Sequence, residues 1–119
     1  MNAHLLYLGE GEKFDQGALI AAIKAIEGVH DITEHPPGAF LEWHFHFQGD
    51  AMIGRISTDL QTISLRGDSL ANLKMASEIN ARYPGSIHLM DTGYTFDLVL
   101  GDYKSFEALL SKVEAADGA

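Results

Sequence analysis

Residues 40–48, FLEWHFHFQ, decide the fold. Side chains alternate strictly along this stretch. Leu41, Trp43, Phe45 and Phe47 point one way, and Glu42, His44, His46 and Gln48 point the other. A period of two belongs to a strand, not a helix. Three aromatic rings on one side need a buried surface to pack against, so the strand is expected in a sheet with one covered face. The histidines then inherit the uncovered face.

Working outward, QGDA (residues 48–51) is a hairpin signal. MIGRIS and TISLRG follow as two further strands around the turn TDLQ, which predicts an antiparallel meander. Upstream, HLLYL (residues 4–8) reads as a buried strand and GEGEKF as a loop. Asp15 is the expected N-cap of a helix whose stripe is Leu19, Ile20, Ile23 and Ile26, with Gly28 as its stop. EHPPGAF then breaks the chain, because Pro36 and Pro37 cannot donate to a sheet ladder.

Downstream, Asp68 or Ser69 is expected to cap a helix with Leu70, Leu73, Ala76 and Ile79 inward, ended by Pro84-Gly85. SIHLM and YTFDLVL read as a strand pair around the turn DTG, or as one long bulged strand. Asp102 is expected to cap a last helix carrying Phe106, Leu109, Leu110 and Val113, with a frayed tail from about 115 to 119. The expected order is β-α-β-β-β-α-β-β-α within a single domain, 1–119. That is an α+β class: a mostly antiparallel sheet with helices on one face, ferredoxin-like or related.

Composition narrows the function. With no cysteine among 119 residues, disulfides, thiolate metal sites and cysteine nucleophiles are excluded. Seventeen acids against eight bases give a net charge of −9, and the bases are scattered singly. Nucleic acid and anionic membranes need clustered Lys or Arg, so neither is an expected partner. The acidic field instead suits a protein partner with a basic surface. No basic segment precedes a long apolar run near the start, so neither a signal peptide nor a membrane span is expected there, and a cytoplasmic location is.

Alternation places a set of polar residues on the uncovered face: Glu42, His44, His46 and Gln48, then Arg55 and Arg66, then His88 and Asp97. These are the candidate partner- or ligand-facing residues. His44 and His46 are i and i+2 on a strand, which allows two imidazoles to converge on one metal ion. A third ligand from Glu42, His88 or Asp97 would be needed. Two histidines alone are a weak metal signal, so no metal and no cofactor is expected. A histidine acting as a base needs a nucleophile or substrate within about 3 Å and an orienting carboxylate. Ser57, Thr62, Ser64 and Thr95 share the face, yet none lies in a nucleophile elbow, and no catalytic set is assigned.

Two further motifs carry less. Gly9-x-Gly11 lacks the third glycine of a nucleotide loop, and Glu10 and Glu12 would repel phosphate. Asp91-Thr92-Gly93 matches the aspartic-protease triplet, but a strand–turn–strand explains the same letters. The expected function is a non-catalytic protein-binding module, an immunity-type or self-associating domain of small acidic bacterial type. A homodimer is the other expected partner arrangement. The alternative is a small metal-dependent or ligand-binding enzyme built on the His44/His46 pair.

Overall fold

In the computed structural model, which describes residues 2–93 and 96–117, the FLEWHFHFQ stretch forms the strand Leu41–Phe47 with Leu41, Trp43 and Phe45 fully buried. Among the described residues seven strands make one sheet: β1 (Asn2–Tyr7), β2 (Val29–Glu34), β3 (Leu41–Phe47), β4 (Asp50–Ile56), β5 (Thr62–Gly67), β6 (His88–Asp91) and β7 (Asp97–Val99). Their order is β2-β3-β4-β5-β1-β6-β7, and every neighbouring pair is antiparallel. Among the described residues three helices pack with the sheet: α1 (Gln16–Lys24), α2 (Ser69–Arg82) and α3 (Phe106–Asp117). The fold is α+β, as the sequence predicts.

β1 enters the sheet between β5 and β6, so α2 must cross over it to join those two strands. In crossing, α2 lays Leu73, Met75, Ala76 and Ile79 on the face that holds Leu6, Trp43, Ile56 and Leu65. α1 and α3 flank α2 and contribute Leu19, Ile23, Leu109 and Val113 to the same core. Burying one such large side chain stabilises the fold by about 1.5–3 kcal/mol, so this single layer dominates folding. Among the described residues no helix covers the opposite face of the sheet.

One strand, β2, goes beyond the expected order. Its sequence VHDITE hides the alternation because the register slips between His30 and Thr33, where Asp31 takes a positive φ of 52°. A bulge of that kind moves later side chains to the other face and erases the period-two signal.

Two helix boundaries also differ from expectation. α1 ends at its C-cap Ala25, before Gly28, because the chain tightens into turns in which Ile26 N–H donates to Ile23 O and Val29 N–H to Ile26 O. Gly28 instead opens β2 at φ 95°, where a Cβ would lie 2.9 Å from the His46 carbonyl oxygen. α3 is capped by Ser105, whose Oγ accepts the Ala108 N–H at 3.1 Å, while Asp102 closes a single 3₁₀ turn (Leu100–Asp102) that buries Leu100. α3 itself continues to Asp117; residues 118 and 119 of the expected frayed tail lie outside the described residues.

Leu70, expected on the inward stripe of α2, is not buried, Asp68 takes the N-cap position without a side-chain cap hydrogen bond, and Thr95 lies outside the described residues. Two local signals act as read. Asp15 caps α1, its carboxylate accepting the Ala18 N–H at 2.8 Å, and its own N–H donates to the Tyr83 hydroxyl at the end of α2. Gln48 and Gly49, with φ of 53° and 83°, make the two-residue turn that joins β3 to β4. Among the described residues, no helix is long and apolar enough to cross a membrane.

Candidate functional site on the open sheet face

Strand registers write the open face as three rows. The first runs His30, His44, Ile53, Arg66 and Ala3 across β2, β3, β4, β5 and β1. A second runs Thr33, Glu42, Arg55, Ser64, Leu5, Met90 and Asp97, from β2 to β7. The third holds Thr62, Tyr7, His88 and Val99 on β5, β1, β6 and β7. Residues that lie up to 90 positions apart in the chain become neighbours only through this pairing.

At one end sits a histidine cluster. His30 pairs with His44 across β2 and β3, their ring centroids 5.7 Å apart. His30 also stacks on His46 at 4.7 Å and 9°, with Nε2 and Nδ1 hydrogen-bonded at 2.7 Å. Its other nitrogen, Nδ1, meets Asp31 Oδ2 at 2.9 Å. The His–His bond requires one donor and one acceptor, so at least one of the two facing nitrogens is unprotonated. Two facing N–H groups would repel.

The middle is held by arginines. Arg55 Nη2 donates to the Pro37 carbonyl at 2.5 Å, and its Nε lies 3.4 Å from Glu42 Oε2. Arg66 is exposed and has no ion pair among the described residues. Between the two lies Ser64, directly opposite Arg55. Ile53, the exposed large apolar residue among those described at 39%, stands between His44 and Arg66 in the first row. A depression of about 210 Å³ surrounds it, lined by His44, His46, Ala51 and Arg66.

At the far end, Tyr7, His88 and Asp97 form a group. Tyr7 donates its hydroxyl to Asp97 Oδ2 and stacks on His88 at 4.8 Å and 18°. The other carboxylate oxygen of Asp97 is 3.4 Å from His88 Nδ1. The hydrogen bond to Asp97 pushes the Tyr7 hydroxyl up to about 12, helped by burial and by the carboxylate's charge. A phenol held that firmly neutral is a poor nucleophile and a poor base. It acts as a clamp on Asp97.

The expected site residues therefore fall into separate groups. Glu42 joins Arg55; His44 and His46 join His30; His88 joins Asp97 and Tyr7. Gln48 lies apart in the β3–β4 turn. Tyr7 and His30 escape the sequence reading: HLLYL is apolar on both faces, and His30 precedes the bulge. The metal arrangement joining His44 and His46 to His88 or Asp97 does not form, because β4, β5 and β1 intervene, putting β3 and β6 roughly 19 Å apart at ~4.8 Å per strand. Among the described residues no three His, Cys, Asp or Glu side chains are grouped to hold a metal ion.

Charge separates this face from the rest of the surface. Glu42, Arg55, Arg66 and Asp97, the charged side chains in the three rows, cancel. The chain's net −9 thus lies outside them, with Asp31 at the β2 rim. Compared with protein-family models, characterised proteins and solved structures, the chain matches none at a significant level, so the site is read from its own geometry.

Proposed function

We propose that this chain is a non-catalytic protein-binding module that docks a partner on its open sheet face. The observation that carries the reading is Ile53: an exposed apolar side chain in the middle of a charge-balanced surface on a molecule of net charge −9. Interfaces of this kind combine an apolar, charge-depleted centre with a polar rim. The matching partner has a near-neutral, partly apolar patch on a molecule of net basic charge, which suits a chain of net charge −9. Two copies of this chain, each of net charge −9, would repel each other, which disfavours a homodimer.

Both sheet edges support face docking over strand addition. β2 is bulged and runs into Pro36-Pro37, and β7 is three residues long, the usual devices against edge pairing. The role fits an immunity-type domain acting in the cytoplasm, a small acidic cap on a basic protein. The strand order β6-β1-β5-β4, with α1 and α2 as connections, supports kinship with ferredoxin-like folds, β2, β3 and β7 being additions.

Ile53→Glu and His44→Glu test the reading. Each places a charge in the centre of the face without touching the core. Partner affinity should fall at least about tenfold, the loss expected of a central contact. Lys24→Glu, exposed at the end of α1, is the control and should leave affinity unchanged. Equal affinity in all three variants would refute the face as the docking surface.

A further inference from the structure

Beside the docking centre, where β4 and β5 meet the β2–β3 turn, the open face sinks into a pocket of about 360 Å³ lined by Gly38, Arg55, Ser57, Thr62, Ser64 and Arg66. Only eight bases serve the whole chain, and two of them border this pocket. Arg55 and Arg66 are diagonal neighbours, since Arg55 faces Ser64 and Arg66 lies two residues further along β5. Such a diagonal spans about 7–8 Å, close enough for two guanidinium forks to reach one group.

Neither arginine is fully used. Arg55 Nε is buried and makes no hydrogen bond, the carboxylate of Glu42 standing 3.4 Å off. Arg66 has no carboxylate partner among the described residues.

The nearby acids are already engaged. Glu42 is the ion-pair partner of Arg55, and Asp59 accepts the Ser57 hydroxyl at 2.6 Å, a bond that holds its carboxyl below the ordinary range. That leaves Arg66 as the uncompensated charge and Ser64 as the adjacent hydroxyl.

We propose that this pocket binds a small oxyanion, a carboxylate or phosphate group, between the guanidinium groups of Arg55 and Arg66 with the Ser64 hydroxyl as a further donor. Planar forks at two sides of a three-oxygen or two-oxygen group give charge-assisted, bidentate bonds that a lysine pair would not. A volume of about 360 Å³ leaves room for a ligand larger than the bare anion. This binding needs no protein on the face, so it stands or falls apart from the docking reading.

Inorganic phosphate and succinate, titrated separately into the purified chain at constant ionic strength, test it through amide shifts at Arg55, Ser64 and Arg66 and through calorimetry. At least one anion should saturate. Arg66→Ala should weaken it by roughly tenfold or more, with Arg66→Lys in between and far-UV circular dichroism unchanged. Tighter binding of phosphate would name the ligand class as phosphate esters; tighter succinate, carboxylates. The proposal is overturned if neither anion saturates, or if Arg66→Ala binds as the parent does.

Discussion

The imidazoles of His30 and His46 lie parallel at 4.7 Å and share a hydrogen bond of 2.7 Å between Nε2 and Nδ1, tying the bulged edge strand to the strand that carries Trp43. Such a bond exists only while one facing nitrogen is bare. In a neutral sample, nitrogen NMR should show a coupling across the hydrogen bond between these two rings. Acidification until both rings carry two protons should abolish it, with increased exchange of the β2 amides. A neutral sample that shows no such coupling would contradict the geometry.

Tyr7 gives the alkaline counterpart. Its hydroxyl is raised to about 12 by the bond to Asp97, above the ordinary value of ~10. A raised value means the fold favours the protonated phenol. The stabilisation is therefore complete below pH ~10 and lost as pH climbs through the folded value near 12. Ultraviolet titration should show one tyrosine ionising late, and Asp97→Asn should bring it down toward ~10. If Asp97→Asn leaves the titration unmoved, Asp97 is not the cause.

Gly54 is set by Trp43. A Cβ on Gly54 would stand 2.2 Å from Trp43 Cζ2, in a strand of ordinary φ. Gly54→Ala should therefore destabilise by about 1–3 kcal/mol in urea unfolding, through overpacking. Trp43→Phe in the Gly54→Ala background should recover part of that loss although Trp43→Phe alone destabilises, a non-additive pair. Simple addition would remove the contact from the account.

The last helix distinguishes two caps. Ser105→Ala deletes the oxygen that accepts the Ala108 N–H and should cost about 1 kcal/mol. Asp102→Ala, exposed in the 3₁₀ turn, should stay within about 0.5 kcal/mol. The reverse ranking would return the cap to Asp102.

What could be read from the letters follows from where the signal is local. The alternation of Leu41, Trp43, Phe45 and Phe47 specifies both the strand and its buried side, and from it come the outward Glu42, His44 and His46. Turn chemistry is equally local, as Gln48-Gly49 and Asp15 show. β2 was hidden because a single bulge at Asp31 breaks the period, and Tyr7 because both faces of HLLYL look apolar. Its polar role arises only when β1 pairs with β6 and brings Asp97 within reach. Capping by Ser105 in place of Asp102 was set by the burial of Leu100, a tertiary demand no local pattern carries. The site is a product of register, so its groups emerge from strand order and not from spacing along the chain.

Docking of a basic protein on the open face, centred on Ile53, is the proposed role. The most direct measurement is quantitative affinity capture from native lysate with three baits: the parent chain, Ile53→Glu and Lys24→Glu, followed by affinity and salt dependence for the recovered protein. One stoichiometric partner is expected on the parent and Lys24→Glu baits, absent from Ile53→Glu, with affinity falling as salt rises. Identical captures on all three baits, or recovery of the chain itself as the partner, would contradict it.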